Sequence, residues 1–147
     1  MEQHQKHYHL IKQEGINYCL CSVLQAILCR HGMFSSQETI AQQLTPTSNG
    51  FATDDERIRS FLQSNGFLYS HHQYNQVPFN EPDFILKEMH DYDGIVGIQS
   101  HAYLLQSFKD PMVELIDPLY NKIVSTELTE LRTKMADLGG FYALITL

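Results

Sequence analysis

Cys19, His101 and Asp117 are the residues whose types and order fit one reaction, the attack of a thiolate on a peptide-type amide. That chemistry needs a nucleophilic thiolate, a base to hold its proton, and donors for the oxyanion. Cys19 opens a segment of helical pattern, where free backbone N–H groups and the helix dipole lower a thiol pKa. Gln13 stands six residues earlier, close enough for its amide to join the Cys19 N–H as an oxyanion hole. His101 opens a predicted strand and Asp117 ends the next, with a turn at Asp110-Pro111 between them. On adjacent antiparallel strands such a carboxylate fixes the imidazole tautomer and stabilises the imidazolium. Cys21 is the competing thiol, but it lies roughly 200° around the helix from Cys19, so both cannot face one site. Cys29, near the far end, reads as a small core residue.

The elements that must position these groups are legible in outline. Leu20, Val23, Leu24, Ile27 and Leu28 form an apolar stripe at helical spacing over Cys19 to Arg30, and Gly32 is a natural stop. A second helix is expected from Ser35/Ser36 to Leu44, with Glu38 placed for a capping interaction. After a loop over Thr45 to Phe51, Thr53 or Asp54 caps a third helix whose inner face is Ile58, Phe61 and Leu62. Phe67 to Gln76 reads as a strand, and Glu81 to His90 as a short helix with Pro82 in its first turn. Beyond it the pattern turns to strands over Ile95 to Gln99, His101 to Phe108, Val113 to Asp117 and Lys122 to Val124. A last helix, Thr126 to Leu138, precedes Gly139-Gly140 and a final strand, Phe141 to Leu147. Helices first and an antiparallel sheet afterwards make this an α+β chain, with a buried nucleophile helix packed on a C-terminal sheet.

A chain of 147 residues, 43% hydrophobic and 18% charged, is read as one domain over 1–147 with a packed core. Its formal net charge of -7 argues against a nucleic-acid backbone as partner, which calls for Lys/Arg clusters. No stretch approaches the ~20 apolar residues of a membrane span. The N-terminal residues carry no apolar signal core, and the three cysteines cluster in one helix rather than forming a spread framework. A reducing, cytoplasmic setting (or a host cytosol, for a delivered effector) is the expectation. His4, His7 and His9 lack a carboxylate or cysteine at ligand spacing, so no metal site is assigned. No Gly-rich phosphate loop is present and no cofactor is called for. His71 and His72 read as surface residues. Phe61, Phe67, Tyr69, Tyr103, Phe141 and Tyr142 read as core and strand packing.

Taken together, Gln13 with Cys19, the helix ending Leu28-Cys29-Arg30-His31-Gly32, and the helix start Ser36-Gln37-Glu38-Thr39-Ile40 resemble a known family. So do His101-Ala102-Tyr103-Leu104-Leu105 and Leu115-Ile116-Asp117-Pro118. The family is the peptidase domain at the N-terminus of bacteriocin-exporting ABC transporters, within the papain-like cysteine peptidase superfamily. The resemblance implies a papain-like fold and a bacterial thiol protease that cleaves leader peptides after a double-glycine site. It also implies Cys19 as nucleophile, His101 as general base, Asp117 as orienting acid and Gln13 as oxyanion donor. The family usually has an acidic residue before the cysteine and Gly after it, where this chain has Tyr18 and Leu20. No transporter follows residue 147, so the expectation is a chain that stands alone or is excised from an exporter.

A second resemblance is confined to the N-terminal part. Lys12-Gln13-Glu14-Gly15, a cysteine opening a helix, Phe34-Ser35 and Ala41-Gln42-Gln43-Leu44 are similar to josephin-type deubiquitinases. Josephins usually have His three residues after the nucleophile and Asn as third catalytic residue, where this chain has Ser22 and Asp117. The alternatives are therefore a ubiquitin-like tail as substrate, a glutamine side chain in a deamidase effector, or a peptide-binding module without turnover. A peptide or protein partner is common to all of them. The acceptor pocket is expected from loops such as Thr45 to Phe51 and Gln73 to Asn80.

Overall fold

A computed structural model describes residues 8, 11–14, 18–44, 55–74, 82–99 and 101–147. The elements in chain order are α1 (Cys19–Arg30), α2 (Gln37–Leu44), α3 (Asp55–Ser64), β1 (Leu68–Gln73), α4 (Pro82–Asp91) and β2 (Asp93–Ile98). They continue with β3 (His101–Lys109), β4 (Met112–Asp117), β5 (Lys122–Glu127), α5 (Leu128–Leu138) and β6 (Gly140–Thr146). The six strands form one sheet in the order β1-β6-β2-β3-β4-β5, and every neighbouring pair is antiparallel. The α+β reading, a buried nucleophile helix packed on an antiparallel sheet, therefore holds, with two additions. β1, from the N-terminal half, pairs with the last strand, β6, and helices cover both faces of the sheet.

On one face, α1, α2 and α3 bury Leu24, Ile27, Leu28, Ile40, Leu44 and Leu62 against Ile95, Leu104, Ala143 and Ile145. On the other, α4 and α5 bury Leu86, Met89, Leu131 and Met135 against Val96, Leu105, Val113, Leu115 and Tyr142. Each such aliphatic side chain contributes about 1.5–3 kcal/mol when fully removed from water. This two-sided cover explains β2, whose six residues are all buried, so it shows an apolar run instead of alternation.

α1 begins and ends where its pattern dictates. At its C-terminus the Gly32 N–H donates to the Cys29 carbonyl and the Met33 N–H to that of Leu28, with Gly32 at φ +82°. That left-handed conformation is one glycine adopts without a Cβ penalty. α2 is capped by Ser36, whose Oγ accepts from the Thr39 N–H at 3.1 Å, rather than by Glu38. The Thr45–Phe51 loop, the Thr53/Asp54 cap and His4, His7 and His9 lie outside the described residues. Cys29 is half-buried, not a core residue. His71 and His72 are also half-buried: His71 stacks on Phe141 at 4.9 Å and His72 Nε2 meets Ser70 Oγ at 2.8 Å. Among the described residues, no helix is long and apolar enough to cross a membrane.

Candidate active site

The site forms where the N-terminus of α1 meets the ends of β3 and β4. The β3–β4 register pairs Leu104 with Ile116 and Leu105 with Leu115. Carried one step further, it sets Asp117 opposite Tyr103, with His101 as diagonal neighbour on the same face of the sheet. His101 Nε2 lies 2.8 Å from Asp117 Oδ1, and the carboxylate is nearly buried. That oxygen also accepts from the Leu119 N–H at 3.0 Å, which fixes the carboxylate for its contact with the ring. With Nε2 engaged by Asp117, Nδ1 is the ring nitrogen left to face the thiol.

Cys19 is buried in the first turn of α1 and hydrogen-bonds the His101 side chain. Burial pushes its thiol up, but the His101 hydrogen bond, the Ala102 N–H, the His101 charge and the Leu20 N–H together outweigh it. The net direction is down. α1 has no acidic residue in its first turn and no side-chain cap from Tyr18, so among the described residues of this helix end no carboxylate competes with the sulfur for its positive end. Tyr18, standing where the resembling family has an acid, contributes to this.

His101 moves the opposite way. The hydrogen bond to Cys19 raises it, burial lowers it, and the Asp117 hydrogen bond and both partners' charges raise it further, so the net direction is up. A thiol shifted down against an imidazole shifted up favours the thiolate–imidazolium pair that nucleophilic attack requires.

Gln13 is buried, and its N–H donates to the Pro118 carbonyl at 2.9 Å, one residue beyond Asp117. Cys19, His101 and Asp117 are thus brought into one line of contacts, while Gln13 lies in the segment before α1, its backbone tied to the residue after Asp117. Cys21 does not belong to the group. It is wholly buried, and burial together with the charge of Cys19 pushes its thiol up to about 12. Cys21→Ala is expected to change the alkylation rate of Cys19 by less than ~2-fold at neutral pH, because the Cys21 thiol is already uncharged there. Iodoacetamide labelling followed by peptide mass spectrometry checks this.

One neighbour escaped the sequence reading. Tyr103, expected only to fill space, packs edge-on against the His101 ring with centroids 4.7 Å apart. Burial, then the charges of Asp117, Cys19 and Tyr120, raise its phenol, so it stays neutral beside the pair. The signal was available, since two residues on from His101 in a strand lies on the same face. Of the expected acceptor-pocket loops, residues 45–51 and 75–80 lie outside the described residues. Among the described residues, no group of three or more His, Cys, Asp or Glu side chains is arranged to hold a metal ion.

Solved structures share this architecture, among them three peptidases. A double-glycine-motif protease from an AMS/PCAT transporter, in complex with the leader peptide, superposes with a TM-score of 0.72 at 14% identity, covering 96% of this chain and 92% of that one. The peptidase domain of Streptococcus ComA, a bifunctional ABC transporter of a quorum-sensing pathway, gives 0.70 at 18% identity, covering 95% and 98%. A C39-like peptidase-type protein from Bacillus anthracis gives 0.66 at 10% identity, covering 90% and 92%. The chain has the fold of the double-glycine peptidase domains. At these identities the likeness is one of fold. No family model matches the chain, and no curated protein does. Within the double-glycine-peptidase fold, the departures at Tyr18 and Leu20 both fall beside Cys19. Leu20 points its bulk into the core at 6% exposure, away from solvent.

Proposed function

We propose that this chain is a thiol peptidase that cleaves a peptide-type amide, with Cys19 as nucleophile, His101 as base and acid, Asp117 as orienter and Gln13 as oxyanion donor. The observation that carries the reading is the line of contacts from Cys19, in the first turn of α1, through the His101 ring to Asp117 Oδ1, 2.8 Å from Nε2, and the shifts of the thiol down and the imidazole up agree with it. His101 takes the Cys19 proton and Sγ attacks the scissile carbonyl carbon, whose π pair becomes the oxyanion facing the Gln13 amide and the Cys19 N–H. Collapse of that intermediate breaks the C–N bond, and His101 protonates the departing amine. Water then attacks the thioester, again through His101, and releases a carboxylic acid and the free thiol.

A peptide ending in two glycines before the scissile bond is the favoured substrate, because the fold is shared with a protease solved in complex with its leader peptide. The three cysteines are free thiols, in keeping with a reducing, cytoplasmic setting. The test is incubation of the full chain with three substrates: a double-glycine leader fused to a short cargo, a ubiquitin-tail amide, and a glutamine-containing peptide. Cleavage after the glycine pair, absent in Cys19→Ala, is the expected mass-spectrometric result. Turnover of only one of the other two replaces the substrate assignment. If Cys19 alkylates no faster than Cys29, and His101→Ala leaves that rate unchanged, the peptidase reading is lost altogether.

A further inference from the structure

We propose that Gln37, on α2, is the positioning residue that holds the Gln13 segment in place for oxyanion stabilisation. The inference rests on the thiol-peptidase reading above. Gln37 is completely buried, and its side chain reaches back across the chain to the stretch before α1. Its Nε2 donates to the Lys12 carbonyl and to Gln25 Oε1, each at 3.0 Å, while its Oε1 accepts from the Glu14 N–H at 2.9 Å. One amide therefore grips the backbone immediately before and immediately after Gln13.

Two further hydrogen bonds hold the described part of this segment, one from backbone and one from a side chain. The Gln13 N–H donates to the Pro118 carbonyl, and Ser22 Oγ donates to the Ile11 carbonyl. Residues 11–14 form no helix or strand, so side chains supply hydrogen bonds that a ladder would otherwise provide. A wholly buried amide is costly unless its donors and acceptor are satisfied, and Gln37 satisfies both its donors and its acceptor here.

The amide's orientation is set by a relay. Gln25 Nε2 donates to the Ser35 carbonyl at 2.9 Å, which turns Gln25 Oε1 toward Gln37. Gln37 must then present Nε2 to Gln25 and Lys12, and Oε1 to Glu14. A flipped amide would set donor against donor at Glu14 and acceptor against acceptor at Lys12. Preorganisation matters because an oxyanion donor works only when it is already aimed at the developing charge.

Two reactions of Cys19 separate this role from simple support of the fold. Iodoacetamide alkylation needs the thiolate but passes through no oxyanion. Acylation by p-nitrophenyl acetate needs both, since Sγ adds to the carbonyl and an oxyanion forms before p-nitrophenolate leaves. With the Cys19→Ala rate subtracted, Gln37→Leu in the full chain is expected to slow acylation by about 10- to 30-fold, part of the loss of a whole oxyanion donor. Alkylation stays within ~2-fold, because the Cys19–His101 pair is untouched. The double variant Gln13→Ala/Gln37→Leu acylates no more slowly than Gln13→Ala alone, as expected for residues acting as one unit. Gln37→Glu keeps the shape and the acceptor toward Glu14 and gives an intermediate defect. It carries the same comparison if the leucine variant does not fold.

Equal losses in acylation and alkylation, additive losses in the double variant, or unchanged acylation in both Gln37 variants each overturn the proposal. A wild-type protein with no Cys19-dependent release of p-nitrophenolate points instead to failure of the peptidase reading, which the Gln37 variants cannot produce.

Discussion

Replacing His101 with alanine is expected to slow iodoacetamide alkylation of Cys19 at pH 7 by roughly 30- to 100-fold, through the fraction of thiol ionised. The sign follows from the groups around the sulfur. Burial opposes ionisation, and the forces that outweigh it are the His101 hydrogen bond, the Ala102 N–H, the His101 charge and the Leu20 N–H. Two of these four vanish with the ring, while burial remains, so the thiol pKa rises.

In the wild type, alkylation begins below the ordinary thiol range, and the thiolate–imidazolium pair persists from the lowered Cys19 pKa up to the raised His101 pKa. In the variant the rate climbs only as pH passes through and above about 8.5, the ordinary cysteine value. Peptide cleavage falls further, by about 10³- to 10⁴-fold, because the proton donor to the leaving amine is lost as well. Asp117→Asn keeps a hydrogen-bonding group near Nε2 but removes the charge that raises His101, so it lowers cleavage while moving the alkylation profile less. A pH series of alkylation rates for the three proteins decides the matter. Coincident wild-type and His101→Ala profiles would sink the ion-pair account.

The parts of this site that could be read from the sequence are those set by local pattern. α1 runs over the Cys19–Arg30 span that its apolar stripe and the Gly32 stop dictate, so the place of Cys19 in the first turn was fixed by spacing. His101 and Asp117 fall at a strand start and a strand end because period-two patterning and the Asp110-Pro111 turn mark both edges.

The supporting shell was hidden for an equally physical reason. Gln37 bonds backbone atoms 23 and 25 residues away, and Asp93 meets Arg30 across 63 residues. Hydrogen bonds of that range leave no periodicity, and a polar residue at an intermediate position looks like ordinary surface. Gln37 follows the Ser36 cap in the first turn of α2, and it is buried because α2 turns that position toward the segment before α1. The strand pairing of β1 with β6 was equally invisible, since register between the middle and the end of a chain is a tertiary fact.

Asp93 carries the largest expected effect on the fold itself. It opens β2 at 2% exposure, and its two oxygens each accept from Arg30 Nη1 at 2.9 Å. His31 Nε2 lies 2.8 Å from Oδ2, and the Tyr8 hydroxyl donates to Oδ1. One buried carboxylate thus ties together the C-terminus of α1, the central strand and the N-terminal segment. Arg30 sits in the last turn of α1, where a cation also complements the helix dipole.

Asp93→Ala leaves the guanidinium, the imidazole and the phenol without their shared acceptor. Breaking a buried pair from one side costs about 3–5 kcal/mol, and the lower end applies because the Arg30 side chain is 25% exposed and can turn to water. For a chain of this length, about 3 kcal/mol corresponds to a fall in Tm of roughly 6–12 °C. Asp93→Asn retains one acceptor and loses the charge, so its fall is smaller. Cys19 lies ~16 Å away along α1, at the opposite helix end. Alkylation of Cys19 measured well below both melting points is therefore expected to match the wild type. Thermal unfolding followed by circular dichroism, run beside that labelling rate, separates the two roles. An unchanged Tm would remove Asp93 as the tie, and a lost labelling rate in a folded variant would show that this network reaches the thiol.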